Sequence, residues 1–271
     1  MNRSSMGGLS RDLMSGGSAA ATIGRRWSAA HPMAHEKMTA RATGAMVRRA
    51  AGQQTSPTVC GSANYVQKSM SEDGKRLSDV IAAIDAANAR DPNEIAVGGQ
   101  LQPAELVYGR RMSATLARMA PHASEHLRIA ARGQHIERWT SPRASYAAGR
   151  VGYLKWRKDL QGFHARRIGE IMTAAGYDAS DVARVGALIR KERLKSDAEA
   201  QMIEDVACVV FLEHYLADFL AKTDEDKLAG ILAKTWNKMS PLGRDEAGKL
   251  ALPAPVPVLL EQGLARLRGG G

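Results

Sequence analysis

Burying a polar group without a partner costs roughly 1–3 kcal/mol in proteins. Polar residues in phase with an apolar helical stripe are therefore the ones whose chemistry calls for an explanation. Three stand out. His135 follows Leu127 by eight residues and Ala131 by four, His164 lies four after Leu160 and four before Ile168, and Asp205 lies three after Met202 and four before Val209. Each spacing predicts a place on the inner face of a separate helix. Two imidazoles and a carboxylate are a ligand set for one divalent ion. Without an ion, the same three groups can form a hydrogen-bonded polar cluster.

A cationic group accompanies them. Arg138, Arg143, Arg157, Arg166 and Arg167 lie close in sequence to the two histidines, and Arg190 with Lys191 lies further on. Arginine forks suit phosphate or carboxylate. Arg138 and Arg143 flank Trp139, and Arg157 follows Trp156, so aromatic neighbours are at hand to orient those guanidinium planes. Arg138, Arg143, Arg157 and Lys191 are thus the candidates for holding an anionic substrate. Glu137, Glu192 and Glu204 could each supply a second carboxylate, and Glu137 or Glu204 could act as proton acceptor. Each could equally pair with a neighbouring base.

The elements that must position these groups read as helices from residue 75 onward. Leu77, Val80, Ile81, Ile84 and Ala87 form the first stripe, ended by Asp91-Pro92-Asn93, with Gly98-Gly99 a loop. Pro103 can open a second helix, because its missing N–H is not needed in the first turn. Pro121 separates that helix from a third running through His135. A fourth spans Tyr153 to Ile171, with Gly176 placed to end it in the left-handed conformation. Asp178 or Ser180 caps a fifth, and Ser196 with Glu199 forms a capping box for a sixth that runs to Phe219. Thr223 with Asp226 starts a seventh, which Pro241 stops. Leu252–Val258, with three prolines, is an extended crossover before a short last helix. No convincing strand alternation and no internal repeat occur. The fold expected is a single all-α bundle of about seven or eight helices.

Of 271 residues, 44% are hydrophobic and 24% charged, the composition of a globular chain. No apolar run approaches the ~18 residues of a membrane-spanning helix. Two cysteines, Cys60 and Cys208, cannot build a disulfide framework. Residues 1–74 carry nine Lys/Arg and four Asp/Glu, half of the net charge of +10, in a Ser-, Gly- and Ala-rich stretch without periodicity. This stretch reads as a disordered basic extension. The open alternatives are an organellar transit peptide and translation starting at Met70. The excess charge in this arm weakens the case for nucleic acid.

The runs Gly133-Gln134-His135-Ile136-Glu137-Arg138-Trp139, Tyr153-Leu154-Lys155-Trp156-Arg157 and Ile203-Glu204-Asp205-Val206-Ala207-Cys208-Val209-Val210-Phe211-Leu212-Glu213, together with Arg190-Lys191-Glu192, resemble the family known as domain of unknown function 4202. Such sequences are sometimes labelled glutamyl-tRNA synthetases. Gln134-His135-Ile136-Glu137 is not the His-Ile-Gly-His type motif that label requires. More distantly, Leu127–Ile136, His164–Met172 and Asp205 are similar to the all-helical HD-type metal-dependent phosphohydrolases, with Ile136 where those enzymes pair an aspartate with the histidine.

That likeness implies a hydrolase acting on a phosphorylated small molecule or nucleotide, in which one divalent ion sits on His135, His164 and Asp205. The alternative is a metal-free HD-like module that binds an anionic ligand or a protein partner. RNA binding ranks third, for want of a recognition motif and of aromatics for base stacking. A cytoplasmic location is expected, or an organelle if residues 1–74 are a transit peptide.

Overall fold

The computed structural model describes residues 62–269, with side chains from residue 74 onward. The readings made on residues 1–61 lie outside the described residues. Helix α1, Ser62–Asn88, begins ahead of the boundary expected at residue 75. It buries Leu77, Val80, Ile84 and Ala87, as the spacing predicts. Where a loop was expected, a hairpin follows: β1, Glu94–Val97, pairs antiparallel with β2, Gln100–Pro103, with Val97 opposite Gln100. Gly98 and Gly99 form its two-residue turn, both at positive φ, which suits the right-handed twist of the strands.

The remaining elements are helical: α2, Ala104–Met119; α3, Glu125–Arg132; α4, Gly149–Ala174; α5, Ala179–Ile189; α6, Ala198–His214; α7, Leu216–Leu220; α8, Glu225–Lys238; α9, Pro241–Gly248; and α10, Pro255–Gly269. Asp178 caps α5 by accepting from Ser180 N and Asp181 N, as expected. Gly176, at φ 85°, ends α4.

Several helix ends differ from expectation. Asp197, not Ser196, caps α6, and Asp224, not Thr223, caps α8. Pro241 starts α9 instead of only stopping α8, and α10 begins inside the stretch read as extended. The long sixth helix breaks at Tyr215, whose φ of −123° leaves the helical region. These breaks give ten α-helices among the described residues, where seven or eight were expected. Among the described residues, the regular structure is otherwise helical apart from the one hairpin. None of the described helices is long and apolar enough to cross a membrane.

Two hydrophobic clusters hold the helices. The first joins α1 to α5 with Ala200, Ile203, Val206 and Val210 of α6. The second joins α7 to α10 with Cys208 and Leu212 of α6. Helix α6 is thus apolar on two faces, as a helix buried between layers must be.

Candidate functional site

The first cluster carries a polar patch built from three elements. Helix α2 contributes Glu105 and, one turn on, Tyr108. The turn after α3 contributes His135 and Arg138, and α4 contributes His164. His135 therefore sits beyond the end of α3, not on its inner face. Buried Asn88, the last residue of α1, ties this turn to α2: its Nδ2 donates to the Glu105 carbonyl (3.4 Å) and its Oδ1 accepts from Glu137 N (2.9 Å). Asp91 accepts from Glu105 N at 3.0 Å.

Within the patch, His135 Nδ1 lies 3.3 Å from Glu105 Oε2, and the Tyr108 ring stacks on the imidazole with centroids 3.9 Å apart. Arg138 Nη1 is 3.4 Å from Glu105 Oε1, and its guanidinium lies 5.1 Å from the centre of the Trp156 ring. The His164 ring is 6.1 Å from that of His135. Its Nδ1 meets the Ile136 carbonyl at 2.8 Å. Ile136 thus serves the site through its backbone, while its side chain is fully buried in the core.

The electrostatics follow from burial. Desolvation lowers the His135 pKa, although Glu105 pulls the other way. Desolvation, reinforced by the neighbouring His135, lowers His164 to about 3. Burial would raise Glu105, but His135, Arg138 and His164 outweigh it and hold the carboxyl below its ordinary value. At neutral pH His164 is therefore uncharged, and the shift of His135 also favours its neutral form. Each donates Nδ1–H, His135 to Glu105 and His164 to the Ile136 carbonyl, so each keeps its lone pair on Nε2. With 24% of its side chain exposed, His135 is the more open of the two.

A second ionic group adjoins this one. Buried Glu204 of α6 binds Lys191 Nζ, and Lys238 Nζ lies 3.4 Å away. Burial raises the Glu204 pKa, but Lys191, Lys238 and Arg157 bring it down to about 2. Glu204 is thus a firmly ionised counter-ion with little basicity. Lys191 also bears electrostatically on His135, and Glu204 on Tyr108, so the two groups form one field. Arg157 also acts electrostatically on Glu204 and lies 5.9 Å from the Tyr153 ring centre.

The residues singled out by sequence divide accordingly. His135, His164 and Arg138 come together, while Glu204 pairs with Lys191 in a second group, with Arg157 in its field, whose charges act on the first. Asp205 does not join the imidazoles. It lies on the second face of α6 and accepts from Gln201 Nε2, Ser240 N and Ser240 Oγ, anchoring the start of α9. Glu137 spends one oxygen on Arg90 and the other on Arg167, each at 2.8 Å. Arg143 donates to the Tyr146 and Gly149 carbonyls of its own loop. Cys208, pushed up to about 12 by burial, fits a packing role. Among the described residues, no group of three His, Cys, Asp or Glu is arranged to hold a metal ion.

Sequence reasoning missed Glu105 and Tyr108. The signal was present: Glu105, Tyr108 and Met112 are spaced three and four apart, in phase with the stripe that α2 buries.

Compared with known proteins, the chain matches the family described as Domain of unknown function (DUF4202) over residues 78–260. No curated protein and no solved structure matches it.

Proposed function

The chain belongs to the DUF4202 family, and from the geometry of the His135 cluster we propose that it binds a phosphorylated small molecule there. The observation that carries this reading is the Glu105–His135 pair set beside Arg138, with Lys191 and Arg157 in the same field. Glu105 and Glu204 supply two negative charges against the positive charges of Arg138, Arg157, Lys191 and Lys238, so the patch has charge left for an anion. Arg138 is stacked near Trp156 and loses little freedom on engaging a phosphoryl group. The neutral Nε2 of His135 is the group able to accept a proton from a ligand hydroxyl or from water. That role fits His135 better than Glu204, whose lysines strip it of basicity, or Glu137, whose oxygens are occupied.

A second reading, a metal-dependent phosphohydrolase, is favoured by one further observation. Both imidazoles direct Nδ1 at a fixed acceptor, the outer-shell arrangement that metal-ligating histidines use. His135 and His164 would hold the ion, which when bound supplies Lewis-acid polarisation of a phosphoryl oxygen. Asp205 is committed to α9, so the three-residue ligand set does not fit as expected, and the likeness to HD-type enzymes rests on the two histidines.

Titration calorimetry with inorganic pyrophosphate and with nucleoside mono- and triphosphates, each with and without Mn²⁺, tests both. Metal-independent binding that Arg138→Met weakens at least tenfold supports the first reading. Binding and phosphate release that appear only with the ion select the second. No heat with any phosphate, in either condition, sinks both.

A further inference from the structure

Helices α4 and α5 end in the same way, with one difference. At the end of α4, Gly176 N bonds Thr173 O and Tyr177 N bonds Met172 O; at the end of α5, Lys191 N bonds Leu188 O and Glu192 N bonds Ala187 O. This pair of bonds places one residue in the left-handed conformation, where glycine is preferred. In α4 that residue is Gly176. In α5 it is Lys191, at φ 54°. A lysine held where glycine is favoured points to a use for its side chain. The side chain, 13% exposed, turns inward to Glu204 of α6.

Glu204 in turn faces a second lysine. Lys238 is the last residue of α8, and its side chain is about half exposed. One buried carboxylate thus holds two ammonium groups from two different helix ends, with Arg157 also in its field. The two lysines outnumber the one carboxylate between them, and the group is most exposed at Lys238. Lys191 links it to His135 through space.

Resting on the anion-site reading above, we infer that Glu204 is a resident counter-anion. It occupies the place of a ligand's phosphoryl oxygens between Lys191 and Lys238, and a phosphorylated ligand binds by exchanging with it. Glu204 is therefore a built-in competitor that sets the affinity threshold of the site. No covalent bond is made or broken in the exchange: two ammonium groups pass from a carboxylate to a phosphate, and the carboxylate is left with Arg157 in its field.

Calorimetry with inorganic pyrophosphate at fixed ionic strength tests this. Glu204→Gln keeps the shape of the side chain and removes the competing charge, and its affinity is expected to rise at least tenfold over wild type. Wild-type binding with no gain in Glu204→Gln overturns the inference and leaves the anion site standing. Absence of binding by both proteins overturns the anion site and the inference together. Should Glu204→Gln fail to fold, Lys238→Ala answers the same question, because Lys238 is half exposed at a helix end. Its pyrophosphate affinity is expected to fall several-fold, since the anion inherits one lysine in place of two. Unchanged affinity in Lys238→Ala overturns the exchange.

Discussion

His164 is 3% exposed and makes its hydrogen bond through Nδ1, so protonation would leave a charge in the core facing His135 and Arg138. The consequence for stability has a definite sign. With a folded pKa of about 3 and an ordinary value of 6.5, the unfolded chain binds a proton between these pH values that the folded chain refuses. The contribution of neutral His164 is complete above pH 6.5 and is lost as pH falls towards 3. Linkage puts the loss at about 2 kcal/mol by pH 5. His164→Asn keeps a donor for the Ile136 carbonyl and cannot titrate. Urea unfolding at pH 8 and pH 5 should show that it loses about 2 kcal/mol less than wild type over this range; equal losses would place the acid sensitivity elsewhere. The same residue marks what one chain of letters can disclose. Phase with an apolar stripe identified His164, His135 and Asp205 as groups needing partners, and all three have them. It could not say which partners, because α6 has two buried faces and Asp205 lies on the one that packs against α9. Glu105 lies in the first turn of α2, where an acid already has an ordinary explanation in the helix dipole.

Among elements, the helix bodies were legible and several of their ends were not. Where two capping residues stand side by side, as in Ser196-Asp197 and Thr223-Asp224, either oxygen can reach the free N–H groups, and the local pattern does not choose. Pro241 was ambiguous for a related reason: a proline that cannot continue one helix is well suited to begin the next. Left-handed helix ends are less ambiguous when glycine occupies them, and Gly176 allows the cost to be measured cleanly. A Cβ added there meets nothing within 4 Å, so Gly176→Ala acts through backbone conformation and not through packing. Denaturant titration is expected to show a loss of about 1 kcal/mol with unchanged m-value. A neutral result would mean that α4 ends by another route. It would also remove the contrast that makes Lys191 informative.

Across the whole molecule, two apolar clusters share α6, and the candidate site spans the seam between them. His135, Arg138 and His164 belong to elements of the first cluster, whereas Lys238 ends α8 in the second. The second cluster is closed by α10 lying against α8, where a Cβ on Gly263 would come within 2.1 Å of the Ala229 carbonyl and 2.9 Å of Ala233 Cβ. Neither a carbonyl inside a helix nor a buried alanine can move aside alone, so Gly263→Ala must push the two helices apart. Overpacking of this kind costs about 1–3 kcal/mol, and the strain falls in the second cluster. Hydrogen exchange is therefore expected to show α8 and α10 losing protection together, with α2, α3 and α4 unchanged, as cooperative sub-structures do. The ligand site should feel the change only through Lys238: pyrophosphate affinity should fall as it does in Lys238→Ala. Uniform loss of protection through both clusters would instead make the chain one cooperative unit, with α6 transmitting strain from α10 to the imidazoles.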